Sequence, residues 1–192
     1  IPGTGPAIEL MGVEQDVPIP VLGISWEDAG ELSALARQGD ASVRLEATGA
    51  TSPAECVNTV ADLGPAGDQV ETILLSAHMD TFPVNGGAFD NLTGVVTLLE
   101  MAKALAPLQD RFVRRLRLIV YTGEEYGFIG SRAYVAAHRH ELDWVRFVFN
   151  LDRLWPATAD GIAVMWSPEM ADYLKAALAE TPALAIGLMS VL

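Results

Sequence analysis

The sequence predicts an α/β fold with a mostly parallel mixed sheet and helices on both faces. Three observations carry this. From residue 55 onward, apolar runs of strand length alternate with segments of helical period, in the order β-β-α-β-α-β-β-α. Strands joined through a helix run parallel, so that order implies crossovers over both faces. The chain has 192 residues, 51% of them hydrophobic, which is enough for a sizeable core in one or two domains.

Residues 1–18 are rich in Pro and Gly and read as loop. IPVLGIS at 19–25 is a short apolar run suited to a buried strand. Ser25 is placed to cap a helix, with Asp28 as the capping-box acid. Ala29, Leu32, Leu35 and Ala36 give that helix an apolar stripe, and Gly39 ends it. Val43 and Leu45 alternate with polar neighbours in a second strand. GATSPA at 49–54 is a break.

ECVNTVADL and VETILLSAHMD read as strands joined by the turn-rich GPAGD. Val95, Leu98, Leu99, Ala102 and Leu105 then mark a buried helix that stops at Pro107. RRLRLIVYTG is a strand, GFIGSRAYVAAHRH a helix, and WVRFVFNLD and GIAVMWS strands. PEMADYLKAALAE is a helix with Pro168 near its start and Ser167 as cap. TPALAIGLMSVL reads as a buried strand or helix–strand junction. An apolar edge there invites aggregation, so the natural protein is expected to continue.

The formal charge is −13 with only 12 Lys and Arg, which argues against nucleic-acid binding, since phosphate contacts need a basic surface. The basic residues that cluster, Arg111, Arg114, Arg115 and Arg117, flank a strand. One cysteine, Cys56, allows no disulfide within the chain and no thiolate metal site. No run is long enough to span a membrane. The chain starts at Ile1 rather than Met, as expected of a processed or excised piece, so the lack of a signal-like segment in it says little about the parent protein.

Three strands end in chemistry-bearing residues: His78 and Asp80, then Glu124-Glu125, then Asp152. Sites in open α/β sheets form at the carboxyl ends of strands, so these clusters can meet on one rim, joined by Asp90 beyond the Gly86-Gly87 turn. Singly, each has an ordinary structural reading as packed histidine, solvated acid or turn residue. Jointly, nitrogen and oxygen donors without thiolate suit zinc, and would also accept manganese or cobalt. Asp90 has two oxygens and can bridge a pair of ions about 3.5 Å apart, which would bind a water and polarise a carbonyl. Of two adjacent acids such as Glu124-Glu125, one can hold metal and the other move a proton. Asp80, two residues past His78 on an extended strand, is expected to accept from the second imidazole nitrogen and fix its tautomer. His138 and His140 fall at a helix C-terminus and are read as surface residues.

SAHMDT, GGAFDNLTGVVTLLEMAKAL, GEEYGFIGSRAY and FNLD resemble the zinc-dependent aminopeptidases of the co-catalytic exopeptidase superfamily. That superfamily includes bacterial leucyl aminopeptidases, carboxypeptidase Q, glutamate carboxypeptidase II and the inactive transferrin receptor. The ordered set H-x-D, G-A-x-D-N-x-x-G, E-E-x-G-x-x-G-S and N-x-D carries the resemblance, over about residues 55–170. It implies His78, Asp90 and Asp152 on one zinc, with Asp90 bridging to a second zinc held by Glu125. It implies Glu124 as general base, with Asp80 beside it in the catalytic group, and a cis peptide between Asp90 and Asn91. It also implies residues 1–50 as the C-terminal remnant of a protease-associated domain and 51–192 as a zinc exopeptidase domain truncated at its C-terminus. A fifth ligand, a histidine, is expected beyond residue 192. Peptide or small protein substrates and an extracellular or cell-envelope location follow from the resemblance alone.

The expected activity is metal-dependent exopeptidase, most simply aminopeptidase. A non-catalytic homologue is the alternative reading, and a glutaminyl cyclase-like acyltransferase a third. Intact His78, Asp90, Glu124, Glu125 and Asp152 favour the first. The sequence also departs from the family at Arg153, which follows a ligand where many relatives carry a small or apolar residue. An arginine there either binds a substrate carboxylate or points to solvent.

Overall fold

Residues 72–78 lack polar alternation because both faces of the strand they form are covered. This strand, β2 (Thr72–His78), is buried along its length except for half-buried Ile73. The computed structural model describes residues 24–39, 42–44, 52–82, 86–154, 162–180 and 186–190. β1 (Thr59–Leu63), β3 (Arg115–Tyr121) and β4 (Val145–Asn150) complete a four-stranded sheet in the order β1-β3-β2-β4. β3 and β4 run parallel to β2, and β1 is an antiparallel edge. The sheet is thus mixed and mostly parallel, as expected.

Helices cover both faces. α2 (Thr93–Leu105) sets Leu98 against Leu75, Ala77, Leu118 and Leu151, with Val95, Met101, Ala102 and Leu105 around them. On the other face, α3 (Ile129–Ala137) sets Tyr134 against Leu74 and Ile119. Adjacent residues Leu74 and Leu75 therefore serve opposite faces, as strand geometry requires. Each such leucine contributes about 1.5–3 kcal/mol by leaving water. Pro107 does not stop α2 sharply: the chain tightens into a 3-10 turn over Ala106–Arg111, where the missing proline N–H costs nothing.

β5 (Ile162–Trp166) and β6 (Ile186–Ser190) pair in parallel as a separate two-stranded sheet. The apolar stretch from 181 onward thus supplies a strand, within its described residues. α4 (Ala171–Ala179) is preceded by a 3-10 turn, Pro168–Met170. Ser167 does not cap with its side chain; its carbonyl instead accepts from the Met170 N–H at 2.9 Å, because the tighter turn brings that donor to the backbone.

α1 (Trp26–Gln38) begins as expected, with Ser25 Oγ accepting from the Asp28 N–H at 3.0 Å, and ends at Gly39. Its apolar stripe is not buried: no residue of α1 is, and Leu35 is 53% exposed. A stripe needs an opposing surface, and none packs on it among the described residues. Residues 42–44 are not in a strand. Residues 19–23 and 45, and most of the region 1–50, lie outside the described residues. Among the described residues no helix is long and apolar enough to cross a membrane.

Two of the four clustered arginines, Arg115 and Arg117, turn inward, while Arg111 and Arg114 stay exposed. Arg117 donates from Nε and Nη2 to the two oxygens of Asp62 at 2.7 Å each, and from Nη1 to Tyr134 Oη at 3.0 Å and Glu141 Oε2 at 2.5 Å. Arg115, two residues away on the same face, donates to the Pro65 and Gly67 carbonyls. Removing one partner strands the others. Arg117→Ala is expected to cost about 3 kcal/mol in urea unfolding, the low end for breaking a buried pair, because the Asp62 side chain is 40% exposed. The hydrogen bond from Arg117 holds the Asp62 carboxyl below its ordinary value, with burial pulling the other way. A carboxyl lowered on folding stabilises the fold above its unfolded pKa, and that contribution fades as pH falls through the folded value. Asp62→Asn should therefore flatten the acid limb of the stability profile, and an unchanged limb would remove this pair from it.

Candidate metal centre

The register of the parallel strands assembles the site. His78 pairs with Tyr121, and Ser76 with Asn150, so β2, β3 and β4 end on one rim. Each strand then releases its functional residues: His78 itself, Glu124 and Glu125 three and four residues past Tyr121, and Asp152 two past Asn150. The Leu151 N–H to Ser76 carbonyl bond, 2.7 Å, carries the ladder to the residue before Asp152. Ser76 Oγ also donates to Asn150 Oδ1 at 2.7 Å.

Asp90 arrives from a different direction. It sits in a kinked turn, Ala88–Leu92, at the start of α2, and the Asp90–Asn91 peptide is cis. Asn91 is 2% exposed and ties three segments together. Its Nδ2 donates to the Leu151 carbonyl at 2.9 Å, and its Oδ1 accepts from the Gly94 N–H at 3.1 Å and the Arg153 N–H at 3.2 Å. One amide thus fixes Asp90 against Asp152. Gly94 is required beside it, since a Cβ there would collide with the Asn91 side chain and the Leu151 carbonyl. Sequence reasoning marked Asn91 only for its peptide bond and missed this role.

The acidic turn is held by Asp80. Its two carboxylate oxygens accept from the Glu124 N–H at 3.0 Å and the Glu125 N–H at 3.1 Å. This corrects the expected role. His78 Nδ1 lies 3.1 Å from the Asp80 backbone carbonyl, whereas the carboxylate is 3.7 Å away. The strand ends at His78, so the two-residue alternation no longer applies at Asp80, and its side chain is free to clasp the neighbouring turn. Gly123, at φ 64°, opens that turn with a backbone unsuited to other residues. Asn58 holds the turn's base, accepting from the Thr122 N–H and donating to the Gly130 carbonyl.

The side chains converge as the sequence predicts. His78 Nε2 lies 3.2 Å from Asp90 Oδ1, 3.5 Å from Asp152 Oδ1 and 3.9 Å from Glu124 Oε2. His78, Asp90 and Asp152 form one group of donors with mutual spacings inside 4.8 Å, and His78, Glu124 and Glu125 form another. His138 is elsewhere, stacked on Tyr134 at 4.1 Å with Nδ1 2.9 Å from the Tyr134 carbonyl, and His140 is exposed beside Glu141.

These atoms fit a cation. With Nδ1 against the Asp80 carbonyl, Nε2 is the ring atom turned to the carboxylate oxygens, and in the neutral ring it offers them a lone pair. Acceptors facing acceptors are stable only around positive charge. Asp152 Oδ1 and Glu125 Oε1 are buried and have no hydrogen-bond partner among the described residues. Burial pushes the Glu124 carboxyl up, His78 opposes this, and Asp152, Asp80 and Asp90 add to it. Burial likewise raises Glu125, followed by Asp90 and Glu124. An oxygen-and-imidazole set of this kind is that of a hard or borderline divalent metal.

The fold and the site together define a cluster of candidate metal ligands on the carboxyl rim of the parallel strands of a mixed sheet. The chain belongs to peptidase family M28, whose family model matches residues 58–184. Carboxypeptidase Q of Xenopus laevis is 32% identical over 142 residues, covering 72% of this chain and 30% of that protein. A probable leucine aminopeptidase 2 of Aspergillus oryzae is 32% identical over 135 residues, covering 70% and 27%. The chain thus spans about 30% of the length of the curated relatives it matches. An aminopeptidase from Aneurinibacillus sp. strain AM-1 shares the fold with a TM-score of 0.62 at 22% identity, over 88% of this chain and 43% of that one. A zinc aminopeptidase from Bacillus subtilis does so with a TM-score of 0.60 at 24% identity, over 69% and 34%.

Proposed function

We propose that the protein is a metal-dependent exopeptidase, in the first instance an aminopeptidase, built around two zinc ions with Glu124 as general base. The observation that carries this is the convergence on His78 Nε2 of Asp90 and Asp152, with buried oxygens on Asp152 and Glu125 that have no hydrogen-bond partner among the described residues. His78, Asp90 and Asp152 would hold one ion, and Asp90 and Glu125 the second. When bound, the metal supplies a polarised carbonyl and a water of lowered pKa.

The chain's own residues do the rest. Asp80 fixes the backbone on which Glu124 and Glu125 stand, so the acids are oriented before substrate arrives. Burial raises the proton affinity of Glu124, in the direction a base needs, and bound cations oppose that shift. Glu124 takes a proton from the attacking water and returns it to the leaving amine. Zinc in the B. subtilis relative and the names of the M28 relatives support this reading.

The test is made on the complete protein. Elemental analysis after dialysis should find about two zinc ions per chain. An unblocked peptide should be cleaved and its N-acetylated form left intact. Metal bound without cleavage of any peptide would turn the reading toward a binding homologue.

A further inference from the structure

Arg153 follows Asp152 directly, and its backbone is unusual. It sits at φ 45°, a conformation that disfavours side chains other than Gly or Asn. The chain holds an arginine there and pins it on both sides. The Arg153 N–H goes to Asn91 Oδ1 at 3.2 Å, and the next N–H, of Leu154, goes to Thr93 Oγ1 at 3.1 Å. Leu154 packs against the core beneath. The root of this side chain is therefore rigid, while 63% of the side chain itself is exposed.

The side chain does not simply point to solvent. Its Nε lies 3.6 Å from Asp90 Oδ2 and 3.9 Å from Asp152 Oδ1, so it stands over the cluster on the Asp90–Asp152 side. Neither contact is a hydrogen bond, and among the described residues the donor fork has no hydrogen-bond partner. Once Asp90 and Asp152 share their charge with bound cations, the pull on the guanidinium weakens further. What remains is a planar cation of rigid origin at the mouth of the site. A guanidinium matches a carboxylate with two parallel hydrogen bonds, which a lysine cannot reproduce.

We infer that Arg153 is a specificity residue that binds the carboxylate of the amino acid being released, and so favours dipeptides with a free C-terminus. The inference rests on the exopeptidase reading above. A free carboxylate on the leaving residue lies three bonds past the scissile carbonyl carbon, close to any group that stands over the metal ligands. A dipeptide also satisfies both directions of exopeptidase action, since its two residues are both terminal.

The test uses the complete, zinc-loaded protein and three uncleavable probes, in which the peptide link is reduced to CH2–NH. They are Leu-Ala with its free carboxylate, Leu-Ala carboxamide, and Leu-Glu carboxamide. Calorimetry should show the free carboxylate binding at least about tenfold more tightly than either carboxamide, the range expected of one bidentate contact. Arg153→Met should bring that ratio to within about twofold, and Arg153→Lys should restore it only in part. The carboxylate-to-amide ratio in kcat/KM for the cleavable dipeptides should fall in parallel, mainly through KM. Equal binding of acid and amide by the parent would overturn the proposal. So would an equal loss for all probes in Arg153→Met, which would make the residue a support of the site. Tighter binding of Leu-Glu carboxamide would assign the arginine to an acidic side chain instead. A preserved binding preference without turnover of any dipeptide would leave Arg153 in place and remove the peptidase reading.

Discussion

Glu124→Gln in the complete protein is expected to lower kcat by about 10²–10⁴ while its metal content stays at the parent level. The two side chains are nearly isosteric, but the amide is neutral and cannot take a proton. The turn that carries the residue should persist, because it is held through the Glu124 and Glu125 N–H groups by Asp80, and not through the substituted carboxylate. Glu124 is also the most distant of the three acids facing His78, at 3.9 Å against 3.2 Å for Asp90 and 3.5 Å for Asp152. It is therefore the acid drawn least closely to Nε2, as a base beside the ligands would be. Steady-state turnover and elemental analysis on the same preparation separate the two effects. Activity within tenfold of the parent would take the role of base away from Glu124. Loss of metal along with activity would make it a ligand.

What the sequence made legible were the residues whose position follows from chain direction. His78, Glu124, Glu125 and Asp152 lie at or just past strand ends, and a parallel register brings such ends together whatever the detail between them. Asp80 was misread because alternation along a strand was carried two residues too far. The last ladder bond beyond His78 is that of the Met79 N–H to the Tyr121 carbonyl, and the chain then turns. Asn91 was illegible in its main role because a buried amide that ties its own turn to α2 and to the loop after β4 leaves no periodic trace. The stripe on α1 was legible as a pattern, but burial depends on a surface that lies elsewhere. Arg115 and Arg117 read as a basic cluster, yet their spacing places both on one face of β3, where Asp62 and Glu141 take up their charge. Charge counted along the sequence could not separate a surface patch from an inward-facing network.

Asp90→Ala should instead empty the site. Groups that merely orient a ligand cost 10–100-fold in metal affinity when removed, and a ligand shared by two ions should cost no less. The variant is expected to retain little zinc after dialysis. Its fold should survive, for a physical reason. Without metal, Asp90 is one of several carboxylates crowded around His78, and the raised Glu124 and Glu125 both feel its charge. Deleting it relieves repulsion, and Asn91, which ties the turn to Leu151 and Arg153, is untouched. The metal-free variant should therefore melt no lower than the metal-free parent. Added zinc should raise the parent's Tm, because a ligand that binds only the folded state stabilises it by mass action. The same zinc should leave the variant's Tm nearly unmoved. The two melting curves thus distinguish a lost ligand from a damaged fold. If both ions remained bound in Asp90→Ala, the bridging role would fall, and the second ion would have to rest on Glu125 without help from this turn.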